Sequence, residues 1–546
     1  MTSHVSQPRS ESQLAVGSAA PASPRTATAL PWLGLGTLTI LSALVFWLFD
    51  ALPFQDLPAH AGLIAMRHRF AGSPFEQHFF VLAPHIGPYS LFRFLGEVFV
   101  RCIGPVGAVR AIATLPVIAT PLALLYGRAK LHGDRSPVAG YLGIAMAFGL
   151  MTLLGFASYL LGVAVMLVGL TLWLDLMVHA DEAGSWGFRT TLSRELAVAA
   201  FAPLMFLGHG HAFVLFLVLA GVSCIATGKR LQRLVRLRAL VPAIALAAYV
   251  AWLERGALTP PGSVAVSQSG LAPHFQGVLD KLSLLVTPTL LTRSGIDIVA
   301  GVALWALVIG TTVATLRGLR ASSGSHPVAE ARSRSHSRAL YAAAVVLGLL
   351  FLGLPHAIGW FGFVDGRLVP VVLYVAILAF RRQSLGRLAR AALDRGAPAI
   401  AAAMVIVALG ASYRFQAEAR GWREVLAAVP NEARLLNLPL DPNSDTFTAH
   451  PFIHYDKLVL AERPIVVSDI WFHQGSALYP TPENPALRLP PTYSESDLRV
   501  IDWPAYDLDD WDYVLIRTRP DARAPTPPEA LQLAEHRGGW WLFRRR

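Results

Sequence analysis

The chain has 546 residues, of which 54% are hydrophobic and 15% are charged, whereas a soluble domain carries roughly 25% charged residues. This composition, with a mean hydropathy of +0.48, excludes a soluble enzyme, a disordered chain and a disulfide scaffold, and it indicates a polytopic membrane protein. The 46 Lys and Arg against 35 Asp and Glu give a net charge of +11, which we assign to cytoplasmic loops under the positive-inside rule rather than to a nucleic-acid partner.

The first 29 residues are rich in Ser, Ala, Pro and Thr and show no apolar period, which predicts a disordered cytoplasmic tail. A multi-span membrane domain is predicted over 30–412, because apolar runs close to the length that a bilayer requires, about 20 residues, recur along it. The pair of runs that flanks His209-Gly210-His211 is short, and it is either two half-length segments or one long broken helix. We predict about eleven spans, near 31–49, 107–126, 137–152, 155–178, 196–208, 212–227, 239–253, 296–316, 339–358, 367–380 and 397–412.

Four clusters of basic residues between these runs set the predicted orientation. All four lie in the cytoplasm if the N-terminus is cytoplasmic, the C-terminal part is outside and the apolar segment 89–102 does not cross. Arg93, Glu97 and Arg101 form one charged stripe at helical spacing along that segment, which is typical of a helix lying in the membrane interface. We therefore expect an integral protein of a bacterial inner membrane, with its basic clusters near 128–135, 229–238, 317–338 and 381–390.

Three regions are predicted outside the membrane, namely the first loop 50–105, the polar loop 254–295 and the C-terminal part 413–546. The C-terminal part contains short strand-like runs and two helical stretches, which predict a small extracytoplasmic α/β domain. The predicted fold is thus an all-α polytopic membrane protein that carries this α/β domain at its C-terminus. The strand-like runs are 433–438, 464–467, 513–517 and 540–543, and the helical stretches are 417–428 and 528–535.

The densest group of polar residues that could do chemistry follows the first predicted span. Asp50 ends that span, and Asp56 and His60 lie four residues apart, so a helix beginning near Leu57 brings them to one face. A carboxylate held at the dry boundary of a membrane can act as a general base. Alternatively, Asp56 only caps the N-terminus of the helix, with Pro58 in its first turn.

The order of motifs resembles the GT-C superfamily of membrane glycosyltransferases, such as the protein O-mannosyltransferases and the lipid A aminoarabinose transferases. In those families an Asp-bearing external loop is followed by a Pro-Pro-Leu-Tyr-like helix, a Gly and an Ala-Arg that opens the second span. This chain has the Asp56 loop, then 88-Pro-Tyr-Ser-Leu-Phe-92, then Gly104 and the run that contains Arg110. The stretch 155–162, Gly-Phe-Ala-Ser-Tyr-Leu-Leu-Gly, also resembles the head of a later span in bacterial members. The resemblance covers about 31–412.

The resemblance implies a specific reaction. A sugar carried on a polyprenyl phosphate in the bilayer is transferred, usually with inversion, to a hydroxyl or amine of a lipid, glycan or protein acceptor. The first-loop Asp acts as base or orients the acceptor, which here implies Asp56, with Asp50 as the second choice. The segment from Asp56 to His60 replaces the Asp-Glu pair of the mannosyltransferases, so a divalent metal is possible and its ligands are unknown.

A donor phosphate requires cations near the outer interface, and Arg pairs well with phosphate. The candidates are spread over the chain, and most have an alternative structural role. For Arg67 and Arg69 this is headgroup contact, and for Arg93 it is an ion pair with Glu97. Arg367 could instead pair with Asp365 or extend toward the headgroups. The candidate donor ligands are Arg67, Arg69, Arg93, Arg255 and Arg367.

His209 and His211 could bind a metal, but no third ligand is evident in the sequence, and polar lining of a cavity or a simple turn is the alternative. Two other function classes remain open. One is a transporter or flippase for envelope lipids or glycans, although such proteins usually show internal repeats and ionisable groups within several spans. The other is a non-catalytic membrane scaffold.

Overall fold

A computed structural model describes residues 29–82, 86–182, 188–226, 235–256, 272–321, 328–359, 361–470 and 478–546. The predicted tail therefore lies outside the described residues except for Ala29. The described chain is mostly helical. Its α-helices are α1 Ala29–Leu44, α2 Leu57–Arg69, α3 Pro74–Phe79, α4 Ser90–His132, α5 Val138–Ala145, α6 Leu150–Leu153, α7 Ala157–Glu182, α8 Phe188–Gly208, α9 Gly210–Ala226, α10 Val241–Gly256, α11 Val278–Ser283, α12 Ile296–Ala321, α13 Val328–Gly353, α14 Leu368–Ala379, α15 Arg387–Glu418, α16 Trp422–Ala427 and α17 Lys457–Glu462.

Seven of the described helices are long and apolar enough to cross a membrane, so the chain is an integral membrane protein. Three shorter apolar helices, α1, α9 and α14, account for three more of the predicted runs. The seven long candidates are Ser90–His132, Ala157–Val178, Thr191–Gly208, Arg236–Leu253, Ile296–Arg320, Val328–Gly353 and Arg387–Glu418.

The remaining predicted run, 137–152, is not a single helix. It consists of α5, with eight residues, and α6, with four, joined by irregular backbone. Residues 138–152 are all buried, and the backbone N–H of Leu150 donates to the carbonyl of Thr287 at 2.8 Å. Irregular backbone at membrane depth is tolerated where protein surrounds it and supplies the hydrogen bonds.

Helix α4 is interrupted at Gly104, whose φ of 71° and ψ of 175° are not helical. The break separates the segment that begins at Ser90 from the apolar span that begins at Pro105. Glycine suits this position because a residue with a side chain is strained at positive φ. The segment with the charged stripe is thus distinct from the span, although both belong to one continuous element.

Helices α8 and α9 form an antiparallel pair that turns at His209. Both pack against α7: a Cβ at Gly162 would contact the His209 side chain and one at Gly169 would contact Met205. Farther along α7, the indole of Trp173 donates to the Ser223 hydroxyl of α9 at 2.8 Å. Going away from the turn at His209, both helices follow α7 toward its C-terminal end, so they are antiparallel to each other. They are therefore two separate segments and not one broken helix.

The C-terminal part contains a mixed five-stranded sheet, which matches the four predicted strands closely. Its strand order is β5-β4-β7-β9-β8, with β5, β4 and β7 parallel and the last two pairings antiparallel. The described strands are β1 Phe80–Leu82, β2 Pro273–His274, β3 Ala357–Ile358, β4 Arg434–Pro439, β5 Val466–Val467, β6 Leu478–Pro480, β7 Tyr513–Arg517, β8 Leu531–Arg537 and β9 Trp540–Arg545.

The prediction of a helix over 528–535 is wrong, because residues 531–537 form the edge strand β8. This strand pairs with β9 across a turn at Gly538, which has a φ of 56°. Its residues are common in helices, but pairing with β9 decides the conformation. The predicted helix over 417–428 is split into the end of α15 and α16 by Gly421, at a φ of 88°.

The first loop and the C-terminal part pack tightly against each other. Strand β1 pairs antiparallel with β6, so that Phe80 lies opposite Pro480. At Gly62 of α2, an added Cβ would lie 3.0 Å from the Lys457 carbonyl of α17. These contacts bring two regions that are distant in sequence to the place where Asp56 lies.

Candidate active site

Asp56 lies immediately before α2, and its backbone is fixed against the chain that precedes α7. The N–H of Asp56 donates to the carbonyl of Leu154 at 3.2 Å. Gly155 has a φ of 81°, and a Cβ there would lie 2.7 Å from the Asp56 nitrogen, so only glycine fits. Asp56 occupies the N-cap position of α2, but its side chain makes no capping hydrogen bond. The carboxylate is thus available for other contacts.

Both contacts of the Asp56 carboxylate fall on the same oxygen, Oδ1. Gln55 Nε2 lies 3.5 Å from it, and His454 Nε2 lies at the same distance of 3.5 Å. The Asp56 side chain is 15% exposed, so the group is largely desolvated but accessible. Among the described residues no hydrogen bond is found to the second oxygen, Oδ2.

His60 lies near Asp56, as the spacing predicts, but it is poorly suited to carry a proton at neutral pH. Its ring packs against Phe92 with 4.6 Å between the ring centroids. Burial lowers the pKa of His60 to about 4, although the Asp56 carboxylate opposes the shift. His60 is thus neutral under physiological conditions and forms part of the wall behind Asp56.

His454 is the residue beside Asp56 that sequence reasoning missed. It is buried, with 6% of the residue exposed. Burial disfavours its charged form, but the hydrogen bonds to Asp56 and Glu495 prevail and raise its pKa to about 9. His454 is thus an imidazolium at neutral pH. Nothing in the local sequence signals this role, because its partner lies near the other end of the chain.

A buried polar network holds Glu495 beneath His454. Lys457 Nζ lies 2.6 Å from Glu495 Oε2 and 3.1 Å from Asp456 Oδ2. Asn437 of β4 donates to Glu495 at 3.0 Å. Burial raises the pKa of Glu495, but the charges of Lys457 and His454 outweigh it and lower that pKa. The network thus keeps Glu495 ionised inside the protein.

Arg367 is the second prominent group, and it lies directly before α14. The residue is 5% exposed, and aromatic rings surround its guanidinium. The guanidinium carbon lies 4.0 Å from the ring centroid of Phe361 and 4.5 Å from that of Phe156. Its Nε and Nη1 atoms have no hydrogen-bond partner in the described part of the chain.

The alternative of an ion pair between Arg367 and Asp365 is wrong. Asp365 instead pairs with Lys281, at 2.9 Å, and with His356, at 2.8 Å. An unpaired buried guanidinium is costly, and rings stacked on its face offset part of that cost. The arrangement leaves the donors of Arg367 for an anionic ligand.

His209 and His211 line the aromatic wall beside Arg367. Their rings lie 5.4 Å and 5.9 Å from that of Tyr159, and Tyr89, at a φ of 72°, packs on His209 at 5.0 Å. The His211 N–H donates to His209 Nδ1 at 3.1 Å. These contacts show that the two histidines form a turn between α8 and α9 and pack against aromatic rings.

The remaining predicted cations lie elsewhere or are engaged by protein groups. Arg69 pairs with the buried Glu76 at 2.6 Å and donates to the Leu460 and Arg463 carbonyls. It therefore joins the first loop to the C-terminal part. Arg255 lies in α10, but its side chain is outside the described part of the structure.

Arg93 does not pair with Glu97, which contacts Arg101 at 3.0 Å and His68 at 3.2 Å. Arg93 instead makes long contacts of 3.3 Å with the Ser90 hydroxyl and a backbone carbonyl. Arg67 is half-buried and close enough to disfavour the charge of Arg93. These two cations thus face each other on the rim of α2 and α4.

Asp50 lies apart from the buried groups. Its side chain is 77% exposed, and its carboxylate pairs with Arg423 at 3.2 Å. Its backbone carbonyl accepts a hydrogen bond from Arg110 at 2.9 Å. An exposed carboxylate with a surface partner is poorly suited to act as a base, so Asp56 is the better candidate.

A divalent metal does not fit the groups around Asp56. Within the described ranges, no three His, Cys, Asp or Glu side chains form a cluster that could hold a metal ion. The position beside the Asp56 carboxylate is taken by an imidazolium whose facing nitrogen carries a proton. A protonated nitrogen cannot ligate a metal, so we route no chemical step through one.

No family model and no curated protein sequence matches the chain. Among solved structures, it is similar to the arabinofuranosyltransferase AftD from Mycobacteria, with 16% identity and a TM-score of 0.46 over 94% of this chain and 40% of that one. A mutant of the same enzyme gives 15% identity and a TM-score of 0.48, covering 94% and 41%. The oligosaccharyltransferase of Archaeoglobus fulgidus gives 12% and 0.46, covering 89% and 69%.

The chain thus spans about two fifths of the length of the arabinofuranosyltransferase. The oligosaccharyltransferase structure was determined with a tethered acceptor peptide. Both solved proteins are named for the transfer of sugars.

Proposed function

We propose that the chain is a membrane glycosyltransferase that moves a sugar from a polyprenyl-phosphate donor to an acceptor hydroxyl or amine, with Asp56 as the base. The observation that carries the proposal is that the accessible carboxylate of Asp56 and the guanidinium of Arg367 lie in the same part of the molecule. Gly155 contacts the backbone of Asp56, and its neighbour Phe156 stacks on Arg367. The charges of Asp56 and Arg367 are close enough to attract each other.

The proposed chemistry follows from these two groups. The acceptor oxygen or nitrogen attacks the anomeric carbon as its proton passes to Asp56 Oδ2. The bond from that carbon to the phosphate oxygen breaks, and its electron pair leaves with the polyprenyl phosphate. Arg367 stabilises the negative charge on the phosphate, since a guanidinium in a dry site binds such groups strongly.

Membrane topology supports an extracytoplasmic site. The basic connectors gather at the end of the helices away from Asp56: Arg128 pairs with Asp134 at 2.7 Å, and Arg381 pairs with Glu330 at 3.2 Å. Under the positive-inside rule that end is cytoplasmic. We propose that the first loop and the α/β domain 413–546 lie outside, above the membrane domain 30–412, in a bacterial inner membrane.

The test is an Asp56→Asn protein in cells that lack the wild-type copy. Because general-base catalysis contributes typically 10²–10⁴-fold, we expect the protein to insert normally while its transfer product disappears from the cell-envelope glycans seen by mass spectrometry. Asp497→Asn is the matched control, since Asp497 is 75% exposed and pairs with Arg499 on the surface. Unchanged glycans in the Asp56→Asn cells would contradict the proposal.

A further inference from the structure

We propose that His454 is a positioning residue for Asp56, and that its imidazolium holds Oδ1 so that Oδ2 faces the acceptor. This inference rests on the proposed function and goes beyond it, because it makes the C-terminal part a component of the catalytic site rather than a cover over it. The first loop alone cannot supply this partner.

The two contacts of the ring are those of a doubly protonated imidazole. His454 Nε2 faces Asp56 Oδ1 at 3.5 Å, and Nδ1 faces Glu495 Oε2 at 3.2 Å. An ionised carboxylate only accepts hydrogen bonds, so a ring that bonds to two of them donates from both nitrogens and is cationic. The pKa of His454, raised to about 9, agrees with this argument.

The ring is held rigidly from behind. Glu495 accepts from Lys457 Nζ at 2.6 Å, from Asn437 at 3.0 Å and from the Tyr493 hydroxyl at 3.0 Å. Lys457 and Asn437 are buried, and Asn437 belongs to the central part of the sheet. A side chain whose support is locked by packing keeps a catalytic group within the narrow geometry that reaction requires.

Several charges face this ring and set its protonation. Asp56 and the neutral His60 lie on the side of the first loop. Lys457 is the first residue of α17, and Asp456 directly precedes it. Glu495 lies on the loop after β6. Lys457 opposes the charge on His454, while Asp56 and Glu495 favour it. Removing either carboxylate partner should therefore make the ring lose its proton at lower pH.

The pair itself is tested without any transfer assay. The thermal unfolding temperatures of the full-length wild type, Asp56→Asn, His454→Gln and the double variant form a double-mutant cycle in detergent. We expect each single change to lower the temperature and the double change to cost less than the sum of the two. Additive shifts would overturn the ion pair.

The positioning role is tested by the pH profile of kcat. Wild type should lose activity above about pH 9, as His454 deprotonates. In His454→Gln, kcat should fall at least tenfold with little change in donor KM. The loss of activity above about pH 9, which is the alkaline limb of the profile, should be absent from this variant. Glu495→Gln, which keeps the shape of the side chain, should move the limb to lower pH.

The matched control is His536→Gln, because His536 lies on β8 and contacts Trp541 and the Gly538 carbonyl. The His536→Gln protein should keep the wild-type kcat and the alkaline limb of its pH profile. A His454→Gln protein with wild-type kcat, or with the alkaline limb retained, would overturn the positioning role. A wild type without transfer product would contradict the proposed function instead, and the unfolding cycle would still decide whether the pair exists.

Discussion

Asp365 and Arg367 are two residues apart in the chain, yet their charges do not pair. The Asp365 carboxylate lies 2.9 Å from Lys281 Nζ and 2.8 Å from His356 Nδ1. Lys281 is itself held by the Phe351 and Leu354 carbonyls, at 2.9 Å and 2.6 Å. Because Lys281 and His356 occupy the Asp365 carboxylate, that carboxylate makes no ion pair with the guanidinium of Arg367.

From these contacts we predict that the effect of removing Lys281 is reversed when the charge of Asp365 is removed as well. In Lys281→Met the Asp365 carboxylate loses its ammonium partner, and we expect it to turn toward Arg367 and raise the donor KM about tenfold, the effect of roughly 1.4 kcal/mol. In Lys281→Met/Asp365→Asn the donor KM should return toward wild type, since removing both members of a buried pair costs less than removing one. A double variant as impaired as the single one would show that Lys281 acts through the packing of α11 and not through its charge.

Arg367 itself should determine donor affinity. We expect Arg367→Met to raise the donor KM by about 10–100-fold, because a charge-assisted contact is worth roughly 1.5–3 kcal/mol. Arg367→Lys should be intermediate, since an ammonium keeps the charge but loses the planar stack on Phe361. Arg499→Met is the control, because that side chain is 79% exposed. Equal donor KM values in all three proteins would exclude Arg367 as a phosphate ligand.

Stability should depend on pH through His454. Its pKa is raised from 6.5 to about 9 in the folded protein. The stabilisation is therefore complete below about pH 6.5 and is lost as the pH rises through about 9. We expect the difference in unfolding temperature between wild type and His454→Gln to shrink over this range in calorimetry. A difference that stays constant would mean that the ring does not titrate there.

Gly155→Ala should disturb Asp56 without touching its carboxylate. A residue with a side chain at φ 81° is strained by about 1–3 kcal/mol, and the new Cβ would lie 2.7 Å from the Asp56 nitrogen. We expect a lower unfolding temperature and a reduced kcat. Gly36→Ala is the control, since nothing lies within 4 Å of a Cβ there. Wild-type kcat in Gly155→Ala would show that the loop tolerates displacement.

Local patterns explain why much of the architecture could be predicted. Apolar runs and basic clusters are properties of short segments, so the membrane helices follow from them, and the strands β4, β7 and β9 are alternating or apolar runs of ordinary length. The sequence predicts a helix where the edge strand β8 lies, because the conformation of that segment depends on pairing with β9. It predicts one span over 137–152, where the chain is irregular because buried neighbours supply its backbone hydrogen bonds.

By itself, the sequence determined that this is a membrane protein with an acidic residue at the start of a long loop, since hydropathy and local spacing carry that information. Only the tertiary structure decided which charges meet. In the structure Asp56 pairs with His454, Asp365 pairs with Lys281, and Arg367 lies among aromatic rings. Electrostatic partners are chosen by distance in space and by burial, and neither quantity is written in the spacing of residues along the chain.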